Sequence, residues 1–128
     1  MNTTNKLTWL KRVLLFKVAV CLLVWGLPAL LGPAWLLATF GVSMPADPFF
    51  LRMFGAVVTA LGLLYWFAYQ KPIHNRDMIR YAVVDNGVST LAILIVALTS
   101  GLTSWFFWIS GALTAFFTVA FWALMPQE

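Results

Sequence analysis

Asp85 is the side chain in this sequence whose setting most clearly suggests chemistry. It lies eight residues beyond Asp77, which is about 12 Å along a helix, and no Asp, Glu, Lys, Arg or His occurs from Asn86 through Gln127. A carboxylate at membrane depth costs about 2.5–3.5 kcal/mol on insertion scales, and it can carry protons or bind a cationic substrate. The alternative is a structural clamp that fixes which helix face points inward. Because no second intramembrane acid is available for a relay, the sequence favours the clamp.

Polar side chains accompany Asp85 at helical spacing. Tyr81 precedes it by four residues and Ser89 follows it by four, so the three share one face of a helix. Asn86 and Thr90 lie on the neighbouring stripe. The spacing therefore predicts an intramembrane polar cluster that points into a bundle and away from lipid.

Lys17 is the predicted cation of this cluster. It lies eight residues beyond Trp9, and the same spacing separates Asp85 from its own interfacial residue, so the two charges are expected at matched depth. One interpretation is a buried ion pair between Lys17 and Asp85. The other is that Lys17 extends to the interface, while Tyr81 and Ser89 alone hold Asp85.

Five further basic residues are candidates for contacts with lipid or a protein partner. These are Lys71, His74, Arg76, Arg80 and Arg52. The basic segment at residues 71–80 suits lipid phosphate or an acidic surface, although membrane topology alone explains it.

Catalytic and metal-binding groups are sparse. His74 is the only histidine, which excludes a two-histidine haem site, and a metal site needs several His, Cys, Asp or Glu ligands. No nucleophile and base occur together at membrane depth. We therefore expect no catalytic residues, no metal, no cofactor and no enzymatic activity.

The composition is that of a membrane protein. Of the 128 residues, 62% are hydrophobic and 9% are charged, whereas soluble domains carry about 25% charged residues. The net charge of +4 comes from residues that flank apolar runs, so the expected partners are lipid headgroups rather than nucleic acid.

Four apolar stretches predict an all-α, polytopic bundle of four transmembrane helices in a single domain. The predicted helices cover residues 10–31, 49–69, 77–98 and 103–125. A short segment at residues 34–40 is predicted to lie along the interface after helix 1, or to extend that helix beyond a kink. Small-residue stripes at Gly55–Thr59 and Gly111–Ala115 predict close helix packing, or a face for another subunit.

Lys and Arg counts in the short loops place both termini in the cytoplasm. The N-terminal region and the loop between helices 2 and 3 are basic, whereas the other side offers Arg52 alone. Aromatic belts agree with this orientation, and the cytoplasmic belt is predicted to contain Trp9, Tyr65, Trp66, Tyr69 and Trp122.

The stretch from Phe50 to Arg80 resembles part of small bacterial four-helix membrane proteins of the DoxX-like and BphX-like kind. The shared features are Arg52 and Gly55, then Gly62 and Tyr65, then a turn with Pro72 and Arg76. Those relatives often carry a lysine in helix 3, where this chain has Asp85 and Asn86. The resemblance implies this fold and a bacterial inner membrane, and it implies no reaction.

Two classes of function are open. One is an accessory, assembly or stabilising subunit of a larger membrane complex, which the short loops and the aromatic fourth helix favour. The other is a binder or transporter of a small hydrophobic or cationic molecule, with Asp85, Asn86, Tyr81 and Lys17 lining a pocket.

Overall fold

The computed structural model describes residues 2–101 and 104–127, and all the regular structure in these ranges is helical. A long α1 is followed by a π-helical segment and five further α-helices. The bounds are α1 Thr3–Ala19, the π segment Val20–Gly26, α2 Leu27–Leu31, α3 Ala34–Thr39, α4 Phe49–Gln70, α5 Arg76–Thr99 and α6 Trp105–Leu124. The predicted start of the last helix at Thr103 lies outside the described residues.

Four helical stretches are long and apolar enough to cross a membrane. They are the first span, Thr3–Leu31, which joins α1, the π segment and α2, and then α4, α5 and α6. The shortest has 20 residues, which corresponds to about 30 Å and matches the hydrocarbon thickness of a bilayer. The chain is therefore an all-α, multi-pass membrane protein, as the composition predicts.

The first span begins seven residues earlier than the apolar pattern predicts. Asn2 caps its N-terminus, because the side-chain oxygen of Asn2 accepts a hydrogen bond from the backbone N–H of Asn5 at 2.8 Å. A cap of this kind satisfies an otherwise unpaired backbone donor. Residues 3–9 are therefore helical, although their sequence is mostly polar and has no apolar periodicity.

The π segment lies directly before Pro28. The backbone N–H of Leu27 bonds to the carbonyl of Leu22, five residues back. Proline has no N–H and its ring crowds the preceding turn of an α-helix, and a local π-helical turn is one way to relieve that crowding. Pro28 therefore lies inside the first span.

The first span ends at Gly32, where the backbone becomes extended through Pro33. Since this break separates α2 from α3, the short α3 is a helix of its own and does not continue the first span. Its Leu37 is buried, whereas Trp35 is exposed.

The four spans are antiparallel. At one end, called here the terminal end, the Nζ of Lys11 lies 5.5 Å from the ring centre of Tyr69, which brings the start of α1 to the end of α4. At the other end, called here the loop end, Ser104 donates to the carbonyl of Phe40 at 2.7 Å. The first span therefore starts at the terminal end, and α6 finishes there.

Glycines set the helix spacing. A Cβ at Gly55 of α4 would collide with the backbone of Ala29 and Leu30, and a Cβ at Gly26 would meet Thr59. The predicted stripe at Gly55–Thr59 therefore brings α4 into backbone contact with the first span.

The spans pack as two pairs. The helix α4 lies mainly against the first span, and α5 lies mainly against α6, while α4 and α5 touch each other little. This arrangement leaves a gap between α4 and α5.

Candidate functional site

Lys17 is the most deeply buried charged residue described. It lies on α1 in the middle of the bundle, and it is only 2% exposed. Its Nζ donates a hydrogen bond to Oδ1 of Asn86 on α5 at 2.6 Å. Because an ammonium buried without partners would be very costly, the surrounding groups must compensate its charge.

Three aromatic rings provide part of that compensation. The Nζ of Lys17 lies 4.7 Å from the ring centre of Trp25, 5.4 Å from that of Tyr65 and 4.6 Å from that of Phe117. We call these three residues the aromatic box. Ring faces attract cations within about 6 Å, and the attraction is stronger away from water. The box therefore stabilises the protonated form of Lys17.

Contacts with α6 hold the box in place. The indole N–H of Trp25 donates to Ser110 of α6 at 3.0 Å. The ring of Tyr65 stacks on Phe121 with centres 6.0 Å apart, and Phe121 stacks in turn on Phe117 at 5.8 Å. All the rings of the box are therefore positioned by neighbours on α6.

A chain of hydrogen bonds connects the lysine to Asp85. Beyond the Lys17 bond, Nδ2 of Asn86 donates to the hydroxyl of Tyr65 at 3.3 Å and to the carbonyl of Ala82 at 2.7 Å. The hydroxyl of Tyr65 donates to Oδ2 of Asp85 at 2.8 Å. We call these four side chains the Lys17–Asp85 network. The donors of Lys17, Asn86 and Tyr65 that link the cation to the anion all point the same way, so that each bond polarises the next.

The structure differs from both predicted arrangements of the charges. Lys17 forms no direct ion pair with Asp85, because its ammonium donates to Asn86 instead, and it does not extend to the interface, because it is buried. The carboxylate of Asp85 is held by neither Tyr81 nor Ser89. Tyr81 is half exposed, and Ser89 donates to the backbone carbonyl of Asp85 at 2.8 Å.

Tyr65 was missed as a member of the site. Its aromatic character and its position near the end of α4 predict an interfacial residue, yet it is 1% exposed and faces the bundle interior. Spacing along α4 offered a signal, since Tyr65 falls on the same face as Gly55, Val58 and Gly62, which are also buried. Trp25 and Phe117 carry no comparable signal, because aromatic residues also face lipid.

A cavity of about 1030 Å³ lies in the gap between α4 and α5. Apolar side chains of all four spans form most of its wall, and Leu37 and Phe40 line it near the loop end. The polar groups in the wall are Lys17, Asp77, Tyr81, Asp85, Ser89, Ser110 and Thr114. The structure thus brings the predicted residues Lys17, Tyr81, Asp85 and Ser89 to one cavity.

The cavity opens sideways between the two helices. Val57 of α4 is 61% exposed and Tyr81 of α5 is 50% exposed, and both line the cavity. Phe54, one turn from Val57, is also exposed at the rim. Because α4 and α5 are membrane-spanning by length and composition, this opening faces the region where acyl chains lie.

One oxygen of Asp85 remains available inside the cavity. Oδ2 accepts the Tyr65 bond, and no donor among the described residues bonds to Oδ1. The hydroxyl of Tyr81, one helical turn away, likewise makes no hydrogen bond within the described chain. A ligand in the cavity therefore meets one free acceptor and one free hydroxyl.

Asn86, unlike Asp85, is almost fully buried. It uses both amide atoms within the network, and its backbone carbonyl accepts a bond from Thr90 at 2.8 Å. Thr90 also bonds to Thr114 of α6 at 2.9 Å. Asn86 therefore holds the site together from behind the cavity wall.

The charges predicted to contact lipid or a partner lie outside this site. Arg52 uses Nη1 inside the protein, where it donates to the carbonyls of Ala29 at 3.1 Å and Gly32 at 2.8 Å at the end of α2. Arg80 pairs with Asp77 at 3.2 Å near the terminal end. Lys71 and His74 are exposed in the turn before α5, and Arg76 is partly buried at the start of α5.

Residues 2–101 and 104–127 contain no group of three or more His, Cys, Asp or Glu side chains placed to hold a metal ion. Cys21 lines the cavity as a buried free thiol. The wall of the cavity offers hydrogen-bonding groups and an apolar shape for recognition.

Comparison with protein-family models, with curated proteins and with solved structures finds no match to this chain.

Proposed function

We propose that this protein binds a small amphipathic molecule, taken from the membrane, in the cavity between α4 and α5. The observation that carries the proposal is a large apolar cavity whose wall contains the free Oδ1 of Asp85. Ligand sites generally combine an apolar lining with a few placed polar groups that fix orientation.

The size of the cavity suits this role. A volume of about 1030 Å³ is at the upper end of the range of about 300–1,000 Å³ that is typical of small-molecule sites. It would accommodate a long hydrocarbon chain together with a polar head. Since the polar wall groups of α5 lie on one face of that helix, the head would lie against Asp85 and the chain would extend toward the loop end.

Lateral access supports a membrane source for the ligand. The exposed rim residues Phe54, Val57 and Tyr81 would let a molecule pass from the acyl-chain region into the cavity without crossing water. Passage of this kind keeps the apolar part of the ligand in an apolar medium throughout.

We also propose that both termini lie in the cytoplasm of a bacterium, with the protein in its inner membrane. The terminal end carries Lys6, Lys11, Arg12 and Lys71, which suits the positive-inside rule and contact with anionic headgroups. Residues 50–80 support the bacterial assignment through their resemblance to the DoxX-like and BphX-like proteins.

A role as an accessory or assembly subunit of a larger complex is the second candidate. Its support is the number of large apolar side chains exposed on the outer faces, including Trp105, Trp108 and Trp122 of α6. Lipid covers such faces equally well. The cavity therefore makes ligand binding the stronger proposal.

Fluorescence of Trp25 tests ligand binding directly. Dibrominated oleyl alcohol is titrated into the protein in lipid nanodiscs, where bromine quenches the emission of nearby tryptophans. We expect a saturable component that disappears in Trp25→Phe, above a linear background from the six other tryptophans. Native mass spectrometry should detect one alcohol per protein, in the wild type and in Trp25→Phe. Linear quenching alone, without a complex in the mass spectrum, would overturn the proposed function.

A further inference from the structure

We propose that the cavity selects an amphiphile with an uncharged hydroxyl head over amphiphiles with a cationic or an anionic head, and that Lys17 and Asp85 together impose this choice. The inference rests on the proposed function, since it specifies the ligand class of the same cavity. It replaces the cationic ligand that an isolated intramembrane carboxylate suggests.

The two charges in the deep part of the cavity, Lys17 and Asp85, balance each other. The ammonium of Lys17 lies within the aromatic box, and the carboxylate of Asp85 accepts a hydrogen bond from the hydroxyl of Tyr65. Asp77, the other acid in the wall, pairs with Arg80 at the terminal end. The deep part of the cavity therefore has no net charge to offer.

A charged head would meet a penalty whatever its sign. An ammonium bonded to Asp85 would stand in the field of Lys17, which is linked to the same carboxylate through two side chains. An anionic head drawn to Lys17 would face the free oxygen of Asp85. Either ion would also lose its hydration in an apolar cavity, and the remaining half of the Lys17–Asp85 pair would be left uncompensated.

A hydroxyl head fits without that penalty. Its O–H would donate to Oδ1 of Asp85, which accepts no hydrogen bond from the described residues. A hydrogen bond to a charged acceptor is worth more than a neutral one. The network behind Asp85 stays intact in this pose.

The experiment compares three probes with the same tail. Dibrominated oleyl alcohol, dibrominated oleylamine and dibrominated oleyl sulfate are titrated into nanodisc-embedded protein, with Trp25 quenching and native mass spectrometry as readouts. The proteins are the wild type, Lys17→Met, Asp85→Asn and the double variant. Each is first checked for a single monodisperse species.

The expected order in the wild type is alcohol ahead of both charged probes by about tenfold or more in apparent Kd. Lys17→Met leaves Asp85 uncompensated and should shift the preference to the amine. Asp85→Asn leaves Lys17 uncompensated and should shift it to the sulfate. The double variant is neutral again and should return to the alcohol, which also controls for damage by either single change. If one single variant does not fold, the other still tests the charge balance.

The outcomes separate the two proposals. Saturable binding in the wild type that favours the amine or the sulfate, or a preference that does not change in the single variants, would overturn the charge-balance inference and leave ligand binding in place. Failure of all three probes to bind saturably to any of the proteins would overturn ligand binding itself, and the inference with it.

Discussion

The ammonium of Lys17 donates to the side-chain oxygen of Asn86 at 2.6 Å. The neighbouring residue, Asp85, accepts its hydrogen bond from Tyr65 and not from Lys17. Two charges are therefore linked through two neutral side chains. The arrangement buries the cation within the cavity wall, and one oxygen of the anion accepts no bond from the described residues. Stability and recognition thus depend on the same four residues, and they can be separated by substitution.

Asn86→Leu should destabilise the protein by at least about 2 kcal/mol, because it removes the only hydrogen-bond acceptor that the described residues offer to a buried ammonium. The measurement is reversible unfolding in mixed micelles with a denaturing detergent. Thr118→Ala is the matched control on α6, since its hydroxyl bonds to the carbonyl of Thr114 in its own helix. Adding Lys17→Met to Asn86→Leu should recover part of the loss. Equal stability of Asn86→Leu and the wild type would contradict the role assigned to this bond.

Tyr65→Phe should cost about 1–2 kcal/mol of unfolding free energy. The phenylalanine retains the stacking on Phe121 and the ring above Lys17, but it removes the donor to Asp85 and the acceptor for Asn86. Tyr81→Phe is the control, because that hydroxyl bonds to no described residue. If both variants lose the same stability, the network contributes nothing specific.

A double-mutant cycle between Tyr65→Phe and Asp85→Asn measures how strongly these two residues are coupled. Groups in direct hydrogen bonding usually show coupling of about 0.5–3 kcal/mol, and we expect a value in that range. The same cycle between Tyr65→Phe and Asp77→Asn should give a coupling near zero, because Asp77 pairs with Arg80 instead. Strong coupling in both cycles would show a general loss of packing.

The closeness of the helix packing predicts a graded loss of stability when four glycines are replaced by alanine. Gly55→Ala and Gly26→Ala should be severely destabilising, because the new Cβ atoms would collide with backbone atoms that are unable to move aside. Gly111→Ala should be milder, since its Cβ would lie 3.1 Å from a methyl group of Ile93. Gly87→Ala meets only Thr118 at 3.7 Å, and it should raise stability by about 0.5–1 kcal/mol through its helix propensity. Thermal midpoints in a mild detergent check the order, and any other order contradicts this packing.

The sequence predicts the fold because lipid imposes simple length and polarity requirements on each span. It also places Lys17 and Asp85 at one depth, since helix rise converts sequence spacing into distance. The partner of each charge could not be predicted. A rotation of about 100° separates Asp85 from Asn86 on the helix, and the packing of α5 on α6 decides which of the two faces Lys17.

The early start of the first span and the inward position of Tyr65 have the same kind of origin. The capping bond at Asn2 and the stacking on Phe121 are individual contacts, and hydrophobic periodicity does not report them. The sequence offers a pocket at Asp85 as one alternative, but the position and size of the cavity follow from the poor contact between α4 and α5, which the sequence does not report.

Filling the cavity should weaken binding without a loss of stability. Ala92 lines the cavity on α5, and Ala92→Phe would put an aromatic ring into the space that a ligand tail needs. We expect saturable quenching of Trp25 by dibrominated oleyl alcohol to fall by about tenfold or more, with an unchanged or higher thermal midpoint because an apolar void is filled. Leu91→Phe, one position away on an exposed face, should bind as the wild type does. Unchanged binding by Ala92→Phe would mean that the alcohol associates elsewhere on the protein.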